Sequence, residues 1–316
     1  MSAIIGLIGG ASGKDLTEKI HEKGYCVALV AGKNGELGTD IADYVLTTDL
    51  RHVDTVRSFF KDLGVKHLIL GTGHRYAFQL AKVLEKDGIM PNVNIKASQI
   101  AKVKNDYRDL IREKGFLSPT YCTILNRDEI PDIKSVVEKV GLPCVVKASI
   151  DTMYPQKANT EDELKAAIDV VLQSDSPVLI EEFIKGIDIT VPVSVLNGKA
   201  KAYAVCYYSK AEECDLKGFT HEEYLKERLS EEDEAKVLEY CERLALASGF
   251  EGLPRFDAMA LSGGDTYVLE VNSVGVTGIS DHYEPFNKAV LRPLMKKGIN
   301  LAEITVSTAF KKFGLI

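Results

Sequence analysis

Short apolar runs alternate with helical patterns through the first hundred residues. Apolar runs predict strands at 3–8, 25–30, 44–47 and 66–70. A glycine-rich turn at residues 9–13 leads into a predicted helix that ends at Gly24, and a second helix is predicted at 53–63. Strands that alternate with helices indicate βαβ units and a parallel sheet. We therefore predict a doubly wound α/β domain over residues 1–99.

The pattern changes to a mixed one after residue 100. Helices are predicted at 105–113, 133–140 and 232–247, and strands at 117–122, 144–147, 178–183 and 200–208. Thr160 with Glu163 forms a capping box, and Asn197-Gly198 is typical of a type I′ hairpin turn. We predict a small α+β unit over residues 100–176 and a third region over residues 177–316.

The last predicted hairpin carries polar side chains on one face. If its strands pair across the four-residue loop 262–265, Asp257 lies opposite Glu270, and Arg255 lies opposite Asn272. Two carboxylates directly opposite each other repel, and a cation between them removes the repulsion. Two carboxylates and an amide suit Mg²⁺, with Mn²⁺ as a substitute. The alternative is a solvated outer face of an edge hairpin.

Other charged residues stand at the ends of predicted elements. Lys147 ends an apolar strand, where its charge requires an anion or a partner, and Lys104 precedes a helix start, near donors that favour anions. Either lysine alone would more often be an ordinary surface residue. Glu181-Glu182-Phe183-Ile184, followed by Asp188, is compatible with a strand pair that has polar outer residues.

Composition and charge exclude several classes of protein. The chain has 316 residues, 45% of them hydrophobic and 27% charged, which is typical of a globular protein and not of a disordered one. With 39 basic and 46 acidic residues and no basic stripe, a nucleic-acid partner is not expected. No apolar stretch approaches 18 residues and no secretory leader is recognised, so we expect a cytoplasmic protein without a membrane partner. The six cysteines have no metal-site spacing.

The order of these motifs resembles the ATP-grasp superfamily from about residue 100 to residue 300. The segment Leu269-Glu270-Val271-Asn272-Ser273, followed by Gly275 and Ser280, is most similar to D-alanyl-D-alanine ligases. The resemblance implies that residues 1–99 form the pre-ATP-grasp domain, 100–176 the small lobe and 177–316 the C-terminal lobe of an ATP-grasp fold.

The resemblance also implies a role for each motif residue. Lys104 and Lys147 would contact ATP phosphates, and Arg255 would face the reacting carboxylate. The nucleotide base and ribose would be held by Glu181, Glu182, Phe183, Ile184 and Asp188. Mg²⁺ would be held by Asp257, Glu270 and Asn272, in agreement with the hairpin geometry. Apart from the resemblance, His74 and Arg75 follow a strand end of the doubly wound domain, where ligands bind in such sheets, so substrate contacts are expected from them and from Ser280. The alternative for the first two is a surface histidine beside an arginine.

The expected activity is an ATP- and Mg²⁺-dependent ligase that joins a carboxylate to an amine through an acyl phosphate. Its substrates would be small and amino-acid-like, and a homodimer is the common assembly for such a chain. The alternatives are a carboxyphosphate-forming carboxylase of the same superfamily, a nucleotide-binding regulatory module without turnover, and a dinucleotide-dependent oxidoreductase. The last disagrees with Ile8 at the first glycine position of the fingerprint. The loop 148–157 has no glycine, so Ser149, Thr152 or Lys157 would have to contact the phosphates there.

Overall fold

A computed structural model describes residues 3–150, 154–174, 176–207, 228–279 and 286–316 of the chain. The described residues form one parallel and two mainly antiparallel sheets, each covered by helices. The mixed α/β architecture and the parallel N-terminal sheet agree with the fold class predicted from the sequence.

The N-terminal domain is an α/β unit. Its strands are β1 (Ile4–Ile8), β2 (Cys26–Ala31), β3 (Tyr44–Thr47), β4 (His67–Leu70) and β5 (Met90–Pro91). Its helices are α1 (Gly13–Glu22), α2 (Val53–Asp62), α3 (Arg75–Lys86) and α4 (Ile95–Ala101). The strand order β3-β2-β1-β4-β5 reverses direction between β1 and β4, which is the arrangement of a doubly wound sheet.

The second unit is a four-stranded sheet with two main helices. Helix α5 (Lys104–Glu113) leads into it. The elements that follow are β6 (Tyr121–Ile124), α6 (Ile133–Val140), β7 (Cys144–Ala148), β8 (Gln156–Ala158), α7 (Glu161–Val171) and β9 (Val178–Glu182). The strand order is β6-β9-β7-β8. Strand β6 begins four residues later than predicted, because Pro119 has no N–H to donate to a ladder. Thr160 caps α7 as predicted and accepts a hydrogen bond from the Glu163 amide.

The third unit is built on a long central strand. Its elements are β10 (Ile187–Leu196), β11 (Lys199–Ala202), β12 (Cys206–Tyr207), α8 (Glu231–Ala247), β13 (Arg255–Ala260), β14 (Thr266–Asn272), a π-helical turn (Asn287–Leu291), α9 (Arg292–Lys296) and α10 (Leu301–Phe313). The predicted 200–208 strand is wrong as one element. Its two ends pair with different parts of β10, so it is interrupted between β11 and β12. The Asn197-Gly198 turn is confirmed, since both residues have positive φ and Leu196 pairs with Lys199.

The last helix returns to the beginning of the chain. Val306, Ala309 and Phe310 of α10 pack with buried residues of α1 and β1 on one face of the parallel sheet. Helices α2 and α3 cover the opposite face. The helix that follows the third unit therefore completes the core of the N-terminal domain. The domain boundaries at residues 99 and 176 remain a prediction.

The last hairpin contains a β-bulge. Near its loop, Ala260 pairs with Thr266, so the Leu261–Thr266 pair on which the sequence prediction rests is wrong by one residue. The register shifts between Asp257 and Ala258, and beyond that point Asp257 lies opposite Glu270. The next polar pair, Arg255 and Asn272, also lies opposite as predicted.

The long helices of the fold are amphipathic rather than uniformly apolar. In the described part of the chain, no helix combines the length and the apolar character needed to cross a membrane.

Candidate active site

Asp257 is the best-anchored side chain on the polar face of the hairpin. Its Oδ1 atom accepts hydrogen bonds from Thr190 Oγ1 at 2.5 Å and Arg255 Nε at 3.2 Å. Its Oδ2 atom accepts from Asn272 Nδ2 at 2.9 Å and Arg255 Nη2 at 3.3 Å. Thr190 is fully buried and lies directly opposite Asp257 in the neighbouring strand β10. Four contacts from three strands thus hold one carboxylate in a single orientation.

Glu270 completes the predicted set of metal ligands. It faces Asp257 across the hairpin, and none of the described residues forms an ion pair with its carboxylate. Asn272 lies on the same face, two residues away. Two opposed carboxylates and an amide supply only oxygen donors for a cation, as Mg²⁺ prefers. The residues present therefore fit a magnesium site, although in the structure Arg255 balances the Asp257 charge and the Asn272 amide donates a hydrogen bond to it.

Arg255 lies beside these carboxylates at the start of β13. Its guanidinium carbon lies 4.4 Å from the centre of the Phe286 ring, in addition to the two contacts with Asp257. The aromatic ring and the carboxylate thus hold the planar guanidinium group from two sides. Arg255 also lines a small cavity of about 20 Å³, together with Leu16 of α1 and Thr305 of α10. The arginine thus stands where three parts of the chain meet.

Lys104 and Lys147 are brought together at one end of the small sheet. Fully buried Ser149 joins their elements, because its carbonyl accepts from the Lys104 amide and its hydroxyl donates to the Asn105 side chain. Burial lowers the pKa of Lys147, and the neighbouring charge of Lys104 acts in the same direction. Two neighbouring positively charged side chains favour the binding of an anion. Ser149, a candidate for phosphate contact, is instead committed to anchoring α5.

Glu181 faces inward and is held by two cations. Its Oε1 accepts from Arg108 Nε at 2.5 Å, and its Oε2 lies 2.5 Å from Lys147 Nζ. Burial alone would raise the pKa of Glu181, but Arg108 and Lys147 bring it down to about 2. The carboxylate is therefore charged, and in the structure its partners are side chains of the protein.

The rest of the predicted nucleotide segment lies at the end of β9 and the start of β10. Glu182 Oε1 accepts from the Thr120 amide, which ties β9 to the chain before β6. The Phe183 ring lies 4.4 Å from the Lys157 Nζ atom, and burial lowers the pKa of that lysine. Half-buried Ile184 follows in the connection, and half-buried Asp188 pairs with Met259 in the β10–β13 ladder.

The glycine-rich turns of the N-terminal domain contact the segment after β14. The Ser12 hydroxyl accepts from the Thr277 amide at 3.1 Å. A Cβ atom at Gly73 would lie 3.0 Å from the Val274 carbonyl, and one at Gly278 would overlap the Asp15 carboxylate. The N-terminal domain therefore packs directly on the chain that follows Asn272.

Two predicted substrate residues lie next to this contact. His74 caps α3 and accepts from the Tyr76 amide, while Arg75 begins the helix with its guanidinium over the Tyr76 ring. Burial lowers the pKa of His74, and Lys102 and Arg75 lower it further. Ser280, the third predicted substrate residue, and Thr152 of the 148–157 loop lie outside the described residues.

Sequence reasoning missed Arg108 and Thr190. Arg108 lies on the buried face of α5 between Tyr107 and Ile111, and a charge at such a position was a readable signal for a buried partner. Thr190 falls among the alternating residues of β10, where nothing local distinguishes it from a core threonine.

The Gly-rich turn also argues against a dinucleotide. The Glu36 carboxylate accepts from the amides of Gly10 and Gly32, both at 2.7 Å. The protein's own carboxylate thus takes donors that a pyrophosphate would need.

Comparison with known proteins places the chain among ligases. A family model described as the D-ala D-ala ligase C-terminus matches residues 110–293, which is more than half of the chain. D-alanine--D-alanine ligase of Actinobacillus pleuropneumoniae serotype 5b is 30% identical over 279 residues, covering 86% of this chain and 84% of that protein. The Carboxydothermus hydrogenoformans ligase is 29% identical over 198 residues, 59% of this chain and 63% of that protein. In three such relatives the match spans only 53 to 66% of the relative's length.

Solved structures share the fold at low sequence identity. The D-alanine--D-alanine ligase from Bacillus anthracis, complexed with ATP, has a TM-score of 0.67 at 20% identity and is covered to 98%, as is this chain. An L-amino acid ligase from Bacillus licheniformis has a TM-score of 0.75 at 15% identity, covering 100% of this chain and 76% of that one. The N5-carboxyaminoimidazole ribonucleotide synthetase from Thermotoga maritima has a TM-score of 0.72 at 18% identity, covering 98% and 76%. From the family match and the order of its motifs, we conclude that the chain belongs to the D-alanine–D-alanine ligase C-terminal family within the ATP-grasp superfamily.

Proposed function

We propose that this protein is an ATP- and Mg²⁺-dependent ligase that joins a carboxylate to an amine through an acyl-phosphate intermediate. The observation that carries the proposal is the opposition of Asp257 and Glu270 on one face of the β13–β14 hairpin, with Asn272 and Arg255 beside them. The cytoplasmic location and the homodimer expected from the sequence belong to the same proposal.

The triphosphate would bind where the two lysines meet. Lys104 and Lys147 supply positive charge at the end of β7, and Ser149 keeps the two elements together. Phe183 and Ile184 would line the pocket of the base, with Glu181 and Glu182 at its edge, and Asp188 would accept from the ribose hydroxyls. These roles rest on the family's motif order and on the shared location of the residues.

The metal site would lie next to the phosphates. Asp257, Glu270 and Asn272 would hold Mg²⁺, which neutralises phosphate oxygens and keeps the transferring group in line when it is bound. Thr190 holds Asp257 in place from the buried side. Arg255, which contacts Asp257 and the Phe286 ring, would face the anionic substrate.

The proposed reaction has two chemical steps. A substrate carboxylate oxygen attacks the γ-phosphorus of ATP and ADP leaves, which forms an acyl phosphate. An amine attacks the acyl carbon, the C–O bond to phosphate breaks, and the amine loses a proton as the amide forms. Arg255 would stabilise the negative charge that develops on the carbonyl oxygen.

The substrates are proposed to be small and amino-acid-like. The relatives carry the names D-alanine--D-alanine ligase and L-amino acid ligase, which support amino acids as both acid and amine. His74 and Arg75, next to the chain after β14, and Ser280 are the residues we propose for contacts with them.

An isotope experiment tests the proposal directly. The full chain is incubated with ATP, Mg²⁺ and a panel of D- and L-amino acids, singly and in pairs, each labelled with ¹⁸O in its carboxylate. We expect one ¹⁸O atom to appear in the released phosphate and an amide in the mass spectrum, because an acyl phosphate passes one carboxylate oxygen to phosphate. Phosphate release that requires bicarbonate would assign the carboxylase alternative, and nucleotide binding without phosphate release would assign the regulatory module.

A matched pair of variants ties the activity to the hairpin. Glu270→Gln keeps the size of the side chain and removes the charge, so we expect phosphate release to fall at least about 100-fold. Glu239→Gln makes the same change at an exposed position on α8 and should leave the rate unchanged. Equal rates for the two variants would contradict the proposed metal site.

A further inference from the structure

The bulge in the last hairpin decides which face Glu270 occupies. From the loop outward, Ala260, Met259 and Ala258 pair with Thr266, Tyr267 and Val268. Continued without interruption, this register would place Leu269 opposite Asp257 and Glu270 opposite Phe256, which is fully buried. The one extra residue at Leu269 moves Glu270 to the polar face, because a one-residue shift turns every side chain to the other side of a strand.

One buried arginine holds the bulge. Arg108 on α5 is fully buried, and its Nη2 donates to the carbonyl of Leu269 at 2.6 Å. A bulge residue has no partner in the ladder, so this hydrogen bond anchors it. Arg108 lies 161 residues before Leu269 in the chain, and the contact is made only in the tertiary fold.

The same guanidinium contacts the small lobe. Its Nε donates to Glu181, and Glu181 in turn pairs with Lys147, with both distances at 2.5 Å. Two cations share one carboxylate, so the Arg108–Glu181–Lys147 cluster keeps a net charge of about +1. Without Arg108, Glu181 would neutralise Lys147 alone, and the cluster would offer no net charge to an anion.

We propose that Arg108 is a positioning residue that couples the two halves of the site. Through the Leu269 carbonyl it places Glu270 and Asn272 opposite Asp257 and Arg255, and through Glu181 it leaves the Lys147 ammonium able to attract phosphate. Buried ion pairs contribute little net stability on average, so the main consequence of this cluster is geometric. The inference rests on the proposed function, because it assumes that a metal and a nucleotide bind at these residues.

Two substitutions at Arg108 separate geometry from charge. Arg108→Gln removes both the positive charge and the guanidinium contacts. Arg108→Lys keeps the charge, but an ammonium group cannot contact Leu269 and Glu181 at once as the planar guanidinium does. Arg112→Gln is the matched control, because Arg112 lies one turn along the same helix and also donates to a backbone carbonyl, that of Pro119. Circular dichroism and thermal unfolding establish that each variant is folded.

The readout is binding of Mn²⁺ to the full chain with a non-hydrolysable ATP analogue, followed by electron paramagnetic resonance. We expect Arg108→Gln and Arg108→Lys to weaken Mn²⁺ binding about 10- to 100-fold, as loss of an outer ligand contact typically does. Analogue binding without metal should weaken in Arg108→Gln and stay within about twofold in Arg108→Lys, because a lysine preserves the net charge. Arg112→Gln should match the wild type in both measurements.

Each result decides the inference. Folded Arg108 variants that bind Mn²⁺ like the wild type would overturn it and leave the proposed function intact. If Arg108→Gln does not fold, the Mn²⁺ affinity of Arg108→Lys decides in the same way. A wild-type protein that binds neither Mn²⁺ nor the analogue would overturn the inference and the proposed function together.

Discussion

The Thr190 hydroxyl donates a 2.5 Å hydrogen bond to Oδ1 of Asp257 from the opposite strand of the ladder. Thr190 is fully buried, and Asp257 is partly exposed at the polar face of the hairpin. The hydrogen bond therefore links the core to the candidate metal site and orients the Asp257 carboxylate. The orientation of this candidate ligand thus involves a residue that is buried in the core.

Replacement of Thr190 by Val should disturb the metal site more than the fold. The two side chains have the same shape, but Val removes the donor, so Asp257 can rotate. We expect the Mg²⁺ concentration for half-maximal phosphate release to rise about tenfold and the free energy of unfolding to fall by about 1 kcal/mol. Thr190→Ser restores the hydroxyl and should recover most of the Mg²⁺ response. A Val variant with wild-type Mg²⁺ dependence would show that Asp257 needs no such anchor.

Glu181 should make the protein more stable at neutral than at acidic pH. Its pKa is about 2 in the fold against an ordinary value of 4.5, so its stabilisation is complete above pH 4.5 and is lost as the pH falls toward 2. Urea unfolding of Glu181→Gln should show a lower stability than the wild type at pH 7, and the difference should shrink below pH 4.5. Glu239→Gln, at an exposed position on α8, is the matched control for loss of a carboxylate.

Substitution of Gly278 by Ala should separate substrate binding from nucleotide binding. The added Cβ would overlap the Asp15 carboxylate, so either that side chain would have to turn away or the segment after β14 would have to shift relative to α1. We expect KM for the amino-acid substrate to rise and the affinity for nucleotide to stay unchanged. In the double variant Gly278→Ala/Asp15→Ala the overlap is gone, and KM should return toward the wild-type value. Equal KM values in the single and double variants would exclude the steric explanation.

Even the conservative replacement of Arg255 by Lys should reduce the activity. Lys keeps the charge, but it cannot make both contacts with Asp257 while lying over the Phe286 ring. We expect Arg255→Lys to reduce kcat about 10²- to 10³-fold, as loss of an oxyanion donor does, with little change in nucleotide affinity. Phosphate release and nucleotide titration on the same preparation measure both quantities. A drop in nucleotide affinity that accounts for the whole loss would place Arg255 in nucleotide binding instead.

Much of the fold could be predicted because its information is local. The alternation of strands and helices over the first hundred residues identified the parallel sheet, and the Asn197-Gly198 turn and the Thr160 cap were read from neighbouring residues. Short-range periodicity and turn chemistry determine such elements before any distant contact forms. Even the opposition of Asp257 and Glu270 was predicted, although the starting pair at the loop was wrong by one residue.

The relations between distant residues were decided by the tertiary structure alone. The bulge at Leu269 brings Glu270 opposite Asp257 despite the different register at the loop, and its carbonyl accepts a hydrogen bond from Arg108, which also contacts Glu181 from 73 residues away. Ser12 and Thr277, 265 residues apart, join the N-terminal domain to the chain after β14. The sequence by itself determined which residues carry charge and which of them alternate along a strand, because these follow from identity and periodicity, whereas the face that Glu270 occupies depends on the bulge. Which of them meet depends on how sheets and helices pack, because that packing brings together side chains with no local pattern in common.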